Sequence, residues 1–112
     1  MFGFKGNSDM EISVADLKGK LERGEDVFIL DVREQGEYDF CNIGGYLIPL
    51  RDLPKRVKEL DPNREIVVMC HSGGRSARAV QFLRQSGFSR AKNLAGGIDR
   101  WASEIDTRMP RY

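Results

Sequence analysis

The stretch Glu65-Ile66-Val67-Val68-Met69-Cys70-His71-Ser72-Gly73-Gly74-Arg75-Ser76 runs from an apolar, β-branched segment straight into a glycine-rich turn. Ile66 to Met69 reads as a strand buried on both faces. Cys70 stands at its C-terminal end. From Ser76 to about Ser86 the period lengthens to that of a helix, with Ala79, Val80 and Leu83 inward and Arg78, Gln81 and Gln85 outward. Gly87 fits its stop. The unit is strand, cysteine, loop, helix.

The same alternation extends in both directions. Ser13-Val14-Ala15-Asp16 reads as an N-cap with an acid in the first turn, opening a helix that ends near Gly24. Val27-Phe28-Ile29-Leu30 is a second buried strand, ending in Asp31-Val32-Arg33-Glu34. A short helix at about 35–40 and a brief strand at Tyr46-Leu47-Ile48, stopped by Pro49, follow. Asp52 to Leu60 reads as one helix with Leu53, Val57 and Leu60 on a single face, and Asp61-Pro62-Asn63 as a turn. A last strand near Ala91-Lys92-Asn93-Leu94 leads through Gly96-Gly97 into a helix carrying Trp101, whose simplest place is the core. Strands alternating with helices imply an α/β domain with a parallel sheet covered on both faces. Sites in such sheets form beyond the carboxyl ends of the strands. Asp31 to Glu34, Cys70 to Arg75 and Ala95 to Gly97 all fall there.

The chain of 112 residues is long enough for one core without disulfides or a structural metal. Its 40% apolar and 31% charged content is that of an ordinary soluble domain, with no apolar run near the ~20 residues a bilayer span needs. No secretory leader is evident at Met1-Phe2-Gly3-Phe4, so a cytoplasmic setting without membrane attachment is expected. Cys41 and Cys70 form no metal-ligand spacing with the single His71, and a reducing compartment argues against a disulfide. No metal or cofactor is expected. Residues 1–62 hold 9 basic and 13 acidic side chains, residues 63–112 hold 9 and 4, so Cys70 belongs to the electropositive half. That favours a thiolate or an anionic ligand; the plainer alternative is arginines scattered over solvated helix faces. Dispersed basic residues with little aromatic interleaving do not support nucleic-acid binding.

A cysteine between a buried strand and a helix N-terminus faces several backbone N–H groups and the positive helix end. Gly73 and Gly74 let the backbone curl into an anion-binding nest. The thiol of Cys70 is therefore expected to ionise readily and act as nucleophile. Arg75 adds a fixed charge for the nest or for a substrate oxyanion. His71 reads as a rim residue that points away from the nucleophile it follows. Ser72 and Ser76 are candidate donors to the bound anion, although Ser76 also suits a plain helix N-cap. Asp31 is placed to pair with Arg75 and fix the loop, and Arg33 to contact a substrate; an ordinary surface ion pair is the alternative. Gly96-Gly97 reads as backbone economy and Cys41 as a packing residue.

Several segments in order resemble the rhodanese-like family of single-domain sulfurtransferases. They are Leu30-Asp31-Val32-Arg33-Glu34 with Glu37-Tyr38, Ile43-Gly44-Gly45-Tyr46-Leu47-Ile48-Pro49-Leu50, Cys70-His71-Ser72-Gly73-Gly74-Arg75-Ser76, and Asn93-Leu94-Ala95-Gly96-Gly97 with Trp101. Many members carry His in place of Asn42 and Ala in place of Tyr46, positions away from the sulfur-binding loop. The likeness covers about residues 10 to 106, so residues 1–9 are read as an N-terminal extension and 10–112 as the domain. It implies a five-stranded parallel sheet with helices on both faces. It also implies a ping-pong reaction in which Cys70 takes sulfane sulfur from a small anionic donor such as thiosulfate and yields it to a thiol or cyanide. Cys41 to Leu50, together with Trp101 to Asp106 and Pro110-Arg111-Tyr112, looks like the rhodanese domain attached to some adenylyltransferases that activate sulfur-carrier proteins. A sulfur-carrier protein is thus a further candidate acceptor, the chain being either a stand-alone relative or an excised piece. A monomer or weak dimer is expected.

Two other functions fit parts of the pattern. A cysteine phosphatase or arsenate reductase also sets a thiolate in an anion loop, but tyrosine-phosphatase-like loops place five residues between Cys and Arg. Only four separate Cys70 from Arg75, which suits one sulfur atom better than a phosphoryl group. A non-catalytic binding or regulatory module would need neither the cysteine nor the charged loop that this chain retains.

Overall fold

A computed structural model describes residues 9–112. Its strands are β1 (Glu11–Ile12), β2 (Val27–Asp31), β3 (Tyr46–Leu47), β4 (Glu65–Met69) and β5 (Ala91–Leu94). The helices are α1 (Val14–Glu22), α2 (Gln35–Phe40), α3 (Leu53–Arg56), α4 (Gly74–Gln85) and α5 (Gly97–Glu104). All strand pairs are parallel, in the order β1-β5-β4-β2-β3. The fold is the α/β sheet with helices on both faces that the alternation of elements implies.

β4 shows how the pattern becomes a core. Side chains alternate across a strand. Ile66 and Val68 join Leu30, Leu53, Ala79 and Leu83 on one face of the sheet. Val67 and Met69 join Leu17, Leu94, Ile98 and Trp101 on the other. Every residue of β4 is buried. Cys70 continues the face covered by α4, while Cys41 packs in the opposite cluster; both thiols are free and buried.

The chain steps from β4 outward to β5 and from β2 outward to β3, in opposite directions. That reversal puts the topological switch point, where sites form in such sheets, at the carboxyl ends of β2 and β4. Asp31 and Met69 are register partners at this edge, and Val68 faces Asn93 of β5.

Three elements differ from the sequence expectation. The helix expected over 52–60 is split into a 3-10 turn at Leu50–Asp52, α3, and a second 3-10 turn at Val57–Glu59. Pro54 has no N–H to reach the carbonyl of Leu50, which accepts from Leu53 instead and closes a tighter turn. Leu53 and Leu60 are nevertheless both buried. α4 begins at Gly74, so Ser76 lies inside the first turn and is not its N-cap. β1 has no apolar run to announce it and exists through its pairing with β5.

Asp9 apart, the expected N-terminal extension lies outside the described residues. No helix among the described residues is long and apolar enough to cross a membrane.

Candidate functional site

Sγ of Cys70 is the focus of the loop. It accepts from the N–H of Gly73 at 3.1 Å and of Ser76 at 3.4 Å, and lies 3.3 Å from the hydroxyl of Ser76. Gly73 makes the curl possible, with φ of 117° in a region that favours glycine. Gly74 is helical, and a Cβ built there would meet no atom within 4 Å, so its small size leaves the loop open on that side. The N–H of Ser76 is one of the first helix donors that lack an intrahelical partner. Burial pushes the Cys70 thiol up, but the hydroxyl of Ser76 and the N–H groups of Ser76, Gly73 and Ser72 outweigh it and hold the thiol below its ordinary value. The residue itself is 1% exposed.

The carbonyls of Cys70 and His71 are held by α5. Ile98 N–H donates to the carbonyl of Cys70 at 2.9 Å, and Asp99 N–H to that of His71 at 3.0 Å. The free N–H groups at the start of α5 thus pin the loop. Such an approach needs Gly97, whose added Cβ would lie 2.4 Å from the His71 oxygen and 2.6 Å from that of Cys70. Gly96-Gly97 is therefore a close-contact device, not backbone economy.

Arg75 is clamped by Glu37 and not by Asp31 as expected. Its two terminal nitrogens reach the two Glu37 carboxylate oxygens at 2.7 and 2.9 Å, a bidentate pair. The Arg75 guanidinium holds the Glu37 carboxyl down to about 2, against some opposition from burial and with help from the Glu34 N–H and the Tyr112 phenol. Glu37 also closes a capping box with Glu34 at the start of α2. One carboxylate thereby ties the helix to the loop. With Arg75 neutralised, and Arg111 paired to Asp99 at 2.9 Å, the positive balance read from this half of the sequence is largely cancelled here. Backbone dipoles and one hydroxyl stabilise the sulfur.

Asp31 and Arg33 pair with each other and are both fully buried, which overturns the expectation that Arg33 reaches a substrate. Nε and Nη2 of Arg33 grip Asp31 at 2.9 and 2.7 Å, Nη2 also donates to the carbonyl of Cys41, and Nη1 donates to that of Glu37 and to the Tyr112 hydroxyl. This guanidinium ties the end of β2 to α2, to Cys41 after it and to Tyr112. His71 points away from Cys70: its ring packs on Tyr112 at a centroid distance of 4.4 Å, and Nε2 lies 2.9 Å from the Tyr112 backbone oxygen.

The sequence reading gave no role to Glu37, Asn93 or Tyr112, although each stands in a segment that carried the resemblance. Their separation from the loop, 38 residues for Glu37 and 20 for Asn93, leaves no periodic signal. Asn93 is 5% exposed, its Nδ2 on the Gly73 carbonyl and its Oδ1 facing Ser76. The Tyr112 hydroxyl joins Arg33 to Glu37.

The model of the rhodanese-like domain family matches residues 13–104. The YrkF protein of Bacillus subtilis is 39% identical over 97 residues, covering 86% of this chain and 52% of that protein. "Adenylyltransferase and sulfurtransferase MOCS3" of Arabidopsis thaliana is 33% identical, covering 94% of this chain and 26% of that protein. A protein of Allochromatium vinosum named "Sulfurtransferase" is 38% identical and covers 82% and 87%. The chain thus spans about half or less of the first two relatives. The rhodanese-like domain protein from Staphylococcus aureus superimposes with a TM-score of 0.78 at 29% identity, covering 91% of this chain and 97% of that one.

Proposed function

The chain belongs to the rhodanese-like family, and on that premise we propose that it is a sulfurtransferase carrying sulfane sulfur as a persulfide on Cys70. The observation that carries this reading is the position of Sγ at the focus of the Gly73 and Ser76 N–H groups. Donors so placed stabilise a thiolate before reaction and a persulfide anion after it.

With thiosulfate as donor, the Cys70 thiolate attacks the outer sulfur and forms an S–S bond. The bond between that sulfur and the sulfite group breaks, and sulfite leaves with the electron pair. The terminal sulfur of the persulfide is then taken by an acceptor nucleophile, a thiol, cyanide or a sulfur-carrier protein, and the thiolate returns. Arg75 and the loop residues Ser72, Gly73, Gly74 and Ser76 form the anion site, with His71 at its rim against Tyr112. Arg75 acts through the N–H groups that its bidentate pair with Glu37 leaves free. Asp31 and Arg33 support the end of β2. The similarity to MOCS3, named an adenylyltransferase and sulfurtransferase, supports sulfur transfer, and the four-residue spacing from Cys70 to Arg75 supports sulfur over phosphoryl chemistry.

Thiocyanate formation from thiosulfate and cyanide, run beside aryl-phosphate hydrolysis, tests the proposal. Turnover in the first assay that disappears in Cys70→Ser is expected. Activity retained by Cys70→Ser, or phosphatase activity alone, overturns it.

A further inference from the structure

The hydroxyl of Ser76 has two neighbours and one proton. Its Oγ lies 2.5 Å from Asn93 Oδ1 and 3.3 Å from Cys70 Sγ. A hydroxyl donates a single hydrogen bond. The amide of Asn93 cannot turn around to relieve the contest, because Nδ2 donates to the Gly73 carbonyl at 3.2 Å and toward the Glu11 carboxylate at 3.4 Å. Both of those groups accept only. Oδ1 must therefore face Ser76, and two oxygens this close require the serine proton between them. In the thiol form, the S–H of Cys70 is left to donate to Oγ, completing a chain from sulfur through serine to amide. Once the sulfur ionises, the hydroxyl has to leave Asn93 to reach it.

We propose that Asn93 is a positioning residue: as the competing acceptor for the one Ser76 proton, it governs how readily that hydroxyl is given to the sulfur of Cys70. It acts through Ser76 and does not touch the sulfur. The inference rests on the reading of Cys70 as the reactive thiol. Its place in the fold suits the task, since β5 sets Asn93 beside Val68 of β4 and sends its amide beneath the loop. The Gly73 carbonyl also accepts from the Ala77 N–H at 3.1 Å, so the loop does not depend on Asn93 alone. The charged and titratable groups around this chain are Glu11 of β1 at the amide nitrogen, Arg78 of α4 across a cavity that Glu11 and Asn93 share, Arg75 with Glu37 of α2, and His71. The hydroxyl of Ser76 bonds only Cys70 and Asn93 among the described residues.

The test is the pH dependence of Cys70 alkylation by iodoacetamide, read by peptide mass in a Cys41→Ser background. Asn93→Leu frees the hydroxyl, and the midpoint is expected to fall by about one pH unit, the worth of one hydrogen bond to a charged sulfur. With Ser76→Ala in place, the same substitution is expected to leave the midpoint unmoved. An unchanged or raised midpoint in the Ser76 protein, or equal shifts in both backgrounds, overturns the proposal. Should the leucine variant not fold, Asn93→Ala removes the same acceptor with no new side chain to place. The midpoint then falls in the Ser76 protein and stays unmoved when Ser76 is Ala; equal shifts in both refute the relay. Sulfur loading is measured separately on the Cys41→Ser protein. Failure to load while the alkylation shifts persist would refute the sulfur-carrier reading and leave the relay standing.

Discussion

Glu37→Gln removes the negative half of the clamp on Arg75 while keeping the size of the side chain. The Glu37 carboxyl is held at about 2 against an ordinary 4.5, a ceiling of about 3.4 kcal/mol at 1.36 kcal/mol per pH unit. Solvent reduces that figure, because the Arg75 and Glu37 side chains are 37% and 21% exposed. We expect a loss of about 1–2 kcal/mol at pH 7, or roughly 5–10 °C in Tm for a domain of this size. A carboxyl held below its ordinary value stabilises the folded chain above about pH 4.5, and that contribution disappears as pH falls toward 2. Urea unfolding of both proteins between pH 7 and pH 2.5 should therefore show a gap that is widest at neutral pH and closes with acid. A gap that stays constant with pH would refute the reasoning, since it would assign the loss to packing and not to the charge pair.

Arg33→Met leaves the Asp31 carboxylate buried without its partner, and should cost about 3–5 kcal/mol in urea unfolding; unchanged stability would contradict the reading of this pair as a support of the fold. Gly97→Ala forces a Cβ against the Cys70 and His71 carbonyls, and should lower both Tm and sulfur loading. Gly74→Ala meets nothing and should leave Tm the same or slightly higher, by up to about 1 kcal/mol in stability. Arg75→Gln should raise KM for thiosulfate more than for an uncharged persulfide donor in steady-state assays; equal losses would make Arg75 a structural residue alone.

What could be read from the sequence was local. The two-residue period of Ile66 to Met69 and the helical period after Gly74 record each residue's own burial, so β4, the loop and α4 could be placed within two residues. The pieces that escaped depend on contacts between distant segments. β1 is two residues made into a strand by its neighbour. Asp31 is the expected partner of Arg75 because it is an acid at the end of the strand beside β4; only the packing of α2 over that edge brings Glu37 to Arg75 and leaves Asp31 to Arg33. The tight contact at Gly97 was equally hidden, since a glycine pair in a sequence does not disclose which backbone approaches it. The charge count misled for a related reason: Arg75 and Arg111 each face a carboxylate.

Intact mass of the protein after incubation with thiosulfate and removal of excess donor tests the central proposal most directly. The wild-type chain should gain one sulfur atom, lose it again on addition of cyanide, and show neither change as Cys70→Ser. A wild-type mass that does not move, or a gain that survives in Cys70→Ser, would contradict the account.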